Sequence, residues 1–176
     1  MFGEDLDNID ENSIIVCDPI KNSIIQHSNF YKTLYSNELI SFNGIYVKFN
    51  LINTMKIKEK ITFNINAKEN EETISKLSKL ENSILDIINC NLNKNKINKI
   101  SEFLNNGYIK YNYNDVYLET EENTSIINEN YTKKTLFLKI SGLWETRENI
   151  GLTFKIFLVD RFINFYPSVE KKDNKM

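Results

Sequence analysis

Hydrophobic and polar side chains alternate over several short segments, which is the pattern of strands that bury one face. These segments are residues 45–52, 60–66, 108–113, 136–140 and 152–159. Residues 13–20 are instead a short apolar run that ends at Asp18-Pro19, which predicts an edge strand or a docking segment. We therefore expect paired strands that present aliphatic side chains to a common core.

The middle of the chain changes to a helical period. Apolar residues from Ile74 to Ile88 recur every three or four positions, and Asn66 with Glu69 forms a capping-box pattern before them. A second helix is predicted over residues 95–107, where Asn106-Gly107 provides the stop signal. Residues 29–36 (NFYKTLYS) have apolar positions at helix-like spacing and predict a short helix. Strands, two central helices and further strands together indicate an α+β fold with an antiparallel sheet.

The two ends of the chain differ in charge from its body. Residues 1–12 contain five acids and no base, so they are predicted to be a disordered acidic leader, and residues 169–176 a charged flexible tail. Residues 13–168 have the length of one domain. The net charge is −2, and it becomes +3 without the acids of the leader. This balance argues against a protein that coats duplex DNA through its phosphates.

The only tryptophan lies between two alternating segments. Trp144 and Arg147 belong to the stretch GLWETRENIG, which is bracketed by Gly142 and Gly151 and predicts the connection of a hairpin. Trp144 is then either a core plug at the base of the hairpin or an exposed platform. Because tryptophan is mostly buried in proteins, we favour the core plug.

The polar faces of the predicted strands combine aromatic rings with lysines. The candidate nucleic-acid-binding residues are Tyr46, Lys48, Tyr108, Lys110, Phe137, Lys139, Lys155 and Phe157, with Arg147 added from the hairpin connection. Rings that stack on bases, beside ammonium groups that hold phosphates, are typical of single-stranded nucleic-acid binding. The competing interpretation is an ordinary mixed surface, because lysine is abundant in this chain and aromatic residues favour strands.

Catalytic and metal-binding patterns are missing from the sequence. His27 is the single histidine, and Cys17 and Cys90 lie far apart, so we expect neither a metal site nor a cofactor. No phosphate-binding glycine loop or nucleophile motif occurs. The protein is therefore predicted to be non-enzymatic. The chain starts without a signal-peptide pattern and has no apolar run long enough for a bilayer, which predicts an intracellular protein without a membrane partner.

Five segments, in chain order, resemble a family of small proteins encoded by nucleocytoplasmic large DNA viruses. They are FYKTLYS, SFNGIYVKFNL, KLENSILDIIN, LNNGYIKY and LKISGLWETRENIGLTFKIF, within residues 29–157. The last segment matches the closing block of the family through Ser141, Gly142, Trp144, Glu145, Thr146, Gly151, Leu152, Thr153 and Lys155. This resemblance implies a viral protein in the host cytoplasm or nucleus.

The chain is also loosely similar to phage-type single-stranded-DNA-binding proteins, which are OB-fold barrels. This similarity implies a partly open OB-like barrel, a single-stranded DNA partner and a role in replication. The chain departs from those proteins in having its acids at the N-terminus and a longer helical insertion. Two other roles stay open: a virion structural or assembly protein, and an accessory subunit of a viral replication or transcription complex. Other viral replication or virion proteins would then be its partners.

Overall fold

The computed structural model describes residues 3–111 and 132–159. Residues 114–131, whose composition predicts a polar, acidic loop, and the predicted tail at residues 169–176 lie outside these ranges. The described strands are β1 (Glu4–Asp5), β2 (Ile14–Lys21), β3 (Asn29–Ser36), β4 (Ser41–Phe42), β5 (Ile45–Ile57), β6 (Lys60–Phe63), β7 (Asn95–Ile97), β8 (Tyr108–Lys110), β9 (Thr132–Glu145) and β10 (Asn149–Val159). The described helices are α1 (Lys68–Leu92), α2 (Lys99–Asn105) and a 3-10 turn (Glu11–Ser13).

Strand β9 organises the sheet. Residues 135–145 of this strand pair with β10 on one edge, while its other edge pairs first with β5 and then with β3. Ser141 is an extra residue between these two stretches, because Gly142 pairs with Thr153 and Ile140 pairs with Phe154. A bulge of this kind bends a strand and increases its twist. The central order is β2-β3-β9-β5-β6-β8.

The prediction of an α+β fold with an antiparallel sheet and two central helices is confirmed. Most strand pairs are antiparallel, and only β1 with β5 and β7 with β10 run parallel in the described residues. The sheet is open rather than a closed barrel, which is compatible with a partly open OB-like arrangement.

The core lies between the sheet and α1. The alternating aliphatic side chains of β5 and β9 meet in register, with Ile45 opposite Ile140 and Val47 opposite Leu138. All four are at most 1% exposed, and they cluster with Leu77, Leu80, Ile84 and Leu85 of α1. Fully burying such side chains contributes roughly 1.5–3 kcal/mol each. The predicted inward face of both strands is therefore confirmed.

Helix α2 fills the opening between two strands that do not pair. The ring of Phe103 lies 5.4 Å from that of Tyr108 on β8 and 6.4 Å from that of Phe154 on β10. Glu81 of α1 holds the start of α2, because its buried carboxylate accepts hydrogen bonds from the amides of Ile100 and Ser101. The ring of Phe103 thus connects α2 to both strands.

Residues 29–36 form strand β3, so the predicted short helix was wrong. Tyr31, Thr33 and Tyr35 are buried in alternation, and Thr33 Oγ1 donates to the carbonyl of Ile140. The spacing of the apolar residues fits either period over so few positions. Pairing with β2 and β9 decides in favour of the strand.

The boundaries of the two helices also differ from the predictions. Helix α1 begins after Ala67 without a side-chain cap, so the capping box of Asn66 and Glu69 does not form. Asn70 instead lies buried and bonds both the amide and the carbonyl of Ile52, where the pairing register of β5 with β9 shifts between Leu51 and Thr54. Residues 95–97, predicted to be helical, form β7 and pair with β10.

Residues 3–12, for which the sequence predicts disorder, are ordered in the structure. Strand β1 pairs with β5, and Leu6 is buried and donates its amide to the carbonyl of Lys48 at 2.9 Å. Asp5 forms an ion pair with Lys48, and Asp7 forms one with Lys76. The buried side chain of Leu6, the partly buried Ile9 packed against the core and the free edge of β5 provide the contacts that composition alone did not indicate.

Candidate nucleic-acid interface

The sheet has an outer face, turned away from α1, that is formed by the positions alternating with the core residues. We define the outer face by Phe30, Lys32, Tyr46, Lys48, Phe137, Lys139, Gly142, Trp144, Gly151, Thr153, Lys155 and Phe157. Strands β3, β5 and β10 contain no Asp or Glu, and Glu145 of β9 points to the opposite side, where it bonds Tyr31. Apart from Asp5 of β1, whose carboxylate pairs with Lys48, the outer face is thus basic and aromatic in a protein whose net charge is −2.

Two predicted lysines are brought directly opposite each other on this face. Lys139 pairs with Lys155 across β9 and β10, and with Tyr46 across β9 and β5. The Nζ of Lys139 lies 5.1 Å from the centre of the Tyr46 ring. Neither lysine forms an ion pair with any described residue. Because like charges directly opposite are destabilising, this pair is a candidate for binding an external anion.

Other predicted residues of the outer face are less accessible. Phe137 is 3% exposed and Phe157 is 9% exposed, so neither ring presents a free surface to a base. Lys48 is engaged by Asp5 at 3.0 Å. Gly3 lies against this region, since a Cβ on it would be 3.1 Å from Cε1 of Phe137. The leader therefore covers one end of the predicted surface.

Trp144 lies on the outer face and is only half-buried, so the core-plug hypothesis was wrong. Its indole covers Gly151, where an added Cβ would be 2.5 Å from Cζ2 of the ring. Phe30 covers Gly142 in the same way, with its Cζ 2.5 Å from the position of a Cβ. The glycines thus make room for rings that lie along the sheet. Phe30 was missed because its segment was predicted to be helical.

The remaining predicted residues lie elsewhere. Arg147 is exposed in the turn between β9 and β10. Tyr108 and Lys110 are on β8, which pairs with β6 and is separated from the Lys139–Lys155 pair by β6 and β5. The nine predicted residues therefore do not form one continuous patch.

A buried polar cluster lies on the helix side of the hairpin. Glu145 is 7% exposed and accepts hydrogen bonds from Tyr31 at 2.8 Å, from Asn29 at 3.0 Å and from Lys94. Burial raises the pKa of Glu145, but the hydrogen bonds from Lys94, Asn29 and Tyr31 outweigh it and hold this pKa below its ordinary value. Burial and the adjacent carboxylate raise the pKa of Tyr31 to about 12. The cluster is a clamp joining β3, β9 and the end of α1.

The lowered pKa of Glu145 predicts a pH-dependent stability. Its contribution is complete above the unfolded pKa of 4.5 and is lost as the pH falls through the lower folded pKa. The difference in unfolding free energy between the wild type and Glu145→Gln should therefore be constant from pH 7 to about pH 5 and shrink below it. Urea denaturation at a series of pH values measures it. A difference that stays constant down to pH 3 would contradict the assignment.

The part of the chain that the structure describes contains neither a metal-binding cluster nor a helix that could span a membrane. No group of three or more histidines, cysteines or carboxylates is placed to hold a metal ion there. Neither described helix combines the length and apolarity needed to cross a bilayer. Comparison with protein-family models, with curated proteins and with solved structures finds no match for this chain.

Proposed function

We propose that this chain is a non-enzymatic single-stranded nucleic-acid-binding protein of a large DNA virus, acting in replication or a related DNA transaction. The observation that carries the proposal is the opposed pair of Lys139 and Lys155 beside Tyr46, on a sheet face without carboxylates on β3, β5, β9 and β10. An anionic polymer relieves the repulsion between the two ammonium groups, which gives the pairing a physical reason.

The rings on the same face favour single strands over duplex. Trp144 and Phe30 lie along the sheet over glycines, and Tyr46 is half-buried next to Lys139. Stacking of a base on such a ring contributes roughly 1–3 kcal/mol and requires that the base be unpaired. A duplex offers only its phosphates to this face, and the net charge of the protein gives little additional attraction.

The expected result is that the protein binds a fluorescent single-stranded oligonucleotide more tightly than the corresponding duplex, measured by anisotropy at several salt concentrations. The double variant Lys139→Gln/Lys155→Gln should bind the single strand more weakly. The negative slope of log K against log salt should become less steep by about 0.7 for each phosphate that is no longer neutralised. The matched control is Lys68→Gln with Lys79→Gln, which removes the same charge from exposed positions on α1.

The control variant should change the affinity only slightly and should leave the salt slope unchanged, because α1 lies on the other side of the sheet. Equal binding of single strands and duplex, or an equal reduction of affinity in both double variants, would contradict the proposal. The first outcome would indicate a purely electrostatic interaction. The second would show that only the total charge matters.

A further inference from the structure

A second pair of opposed lysines lies at the far edge of the sheet. Lys60 on β6 pairs directly with Lys110 on β8. The Nζ of Lys60 lies 4.8 Å from the centre of the Tyr108 ring, and that of Lys110 lies 5.9 Å from the Phe103 ring. Within the described residues, neither lysine forms an ion pair. The aromatic rings are therefore the neighbours that hold these ammonium groups in place.

This arrangement repeats that of the Lys139–Lys155 pair. Each site has two lysines opposite each other on neighbouring strands and a tyrosine ring under one ammonium group. At both sites the lysines point away from the core, since Ile61 and Ile109 alternate with Lys60 and Lys110 and are at most 1% exposed. Two pairs of directly opposed lysines therefore lie on the side of the sheet that points away from the core, although each pair is destabilised by repulsion between like charges.

We infer that Lys60 and Lys110, with Tyr108, form a second phosphate-binding subsite for the nucleic acid. This inference rests on the proposed function and adds the position at which a longer strand is held. Side chains on directly opposite residues begin about 5 Å apart, so both ammonium groups reach one phosphate. Tyr108 offers a ring beside that phosphate, on which a base or a terminal nucleotide can stack.

The two subsites are separated by the length of β5. At about 3.3 Å per residue, the path from Tyr46 to Ile57, which pairs with Lys60, is at most about 36 Å. A base-stacked strand with a rise of about 3.4 Å per nucleotide covers this path with about ten nucleotides. A strand of about four nucleotides therefore occupies one subsite, whereas a strand of about twenty nucleotides engages both.

The test compares the double variant that carries both Lys60→Gln and Lys110→Gln with the wild type. The ligands are oligothymidylates of about four and about twenty nucleotides. The double variant should bind the long strand at least about tenfold more weakly, because the second subsite acts through a high effective concentration. Its affinity for the short strand should change much less. Its melting temperature should change little, since the substitutions remove both the repulsion between the lysines and their contacts with the two rings.

Unchanged binding of the long strand by this variant would overturn the second subsite. If the double variant Lys139→Gln/Lys155→Gln still bound the long strand more weakly than the wild type, the proposed function would stand without the second subsite. Short strands with and without a 5′-phosphate show whether the subsite takes a terminal or a backbone phosphate. If wild type binds no oligonucleotide, titration with inorganic phosphate decides: NMR shifts at Cε of Lys60 and Lys110 would support a phosphate site, and their absence would exclude it.

Discussion

Replacing Glu145 by alanine is expected to lower the free energy of unfolding by about 3–5 kcal/mol, because it removes one partner of a buried ion pair. Lys94 would keep its charge in a nearly buried position, with its side chain 15% exposed. The hydroxyl of Tyr31 and the amide of Asn29 would also be left without their acceptor. Chemical denaturation at pH 7 measures the decrease in stability.

Two further variants separate the charge from the rest of the cluster. Tyr31→Phe removes one hydrogen bond to a charged group and should cost about 1.5–3 kcal/mol. Lys94→Met combined with Glu145→Gln removes the charge of both partners and should recover part of the stability that Glu145→Ala removes. A decrease below about 1 kcal/mol for Glu145→Ala would mean that the clamp contributes little to the fold.

Replacing Gly142 by alanine is expected to destabilise the protein by about 3 kcal/mol or more, as severe overpacking does. The new Cβ would lie 2.3 Å from the carbonyl oxygen of Tyr31, an atom of the neighbouring strand. Because backbone cannot rotate away as a side chain can, β3 and β9 would have to separate where they pair. Thermal and urea denaturation both report this change.

Gly151→Ala is the matched control for that variant. The three atoms nearest to its new Cβ all belong to the indole of Trp144, the first at 2.5 Å, and a side chain can move. We expect a smaller decrease in stability, of about 1–3 kcal/mol, together with red-shifted Trp144 emission that is more accessible to a quencher. Equal destabilisation by the two alanines, or unchanged emission in Gly151→Ala, would contradict the packing of the rings over the glycines.

The local pattern of hydrophobic and polar residues determined the fold class by itself. Strict alternation in residues 45–51 and 136–140 allowed one assignment only, because a strand that buries one face must repeat every second residue. The helical period from Ile74 to Ile88 was equally unambiguous, and α1 contains it. The outward positions of Tyr46, Lys139 and Lys155 follow from the same alternation, so this part of the candidate interface was predictable.

Tertiary contacts determined the conformation of the short and the polar segments. Residues 29–36 became a strand because β2 and β9 accept them on both edges, and residues 3–12 became ordered because β5 offered a free edge and the core a place for Leu6. Trp144 lies outside the core because Gly151 leaves space beneath its ring. Which lysine faces which lysine depends on strand register, and register is set by pairing partners that are far apart along the chain.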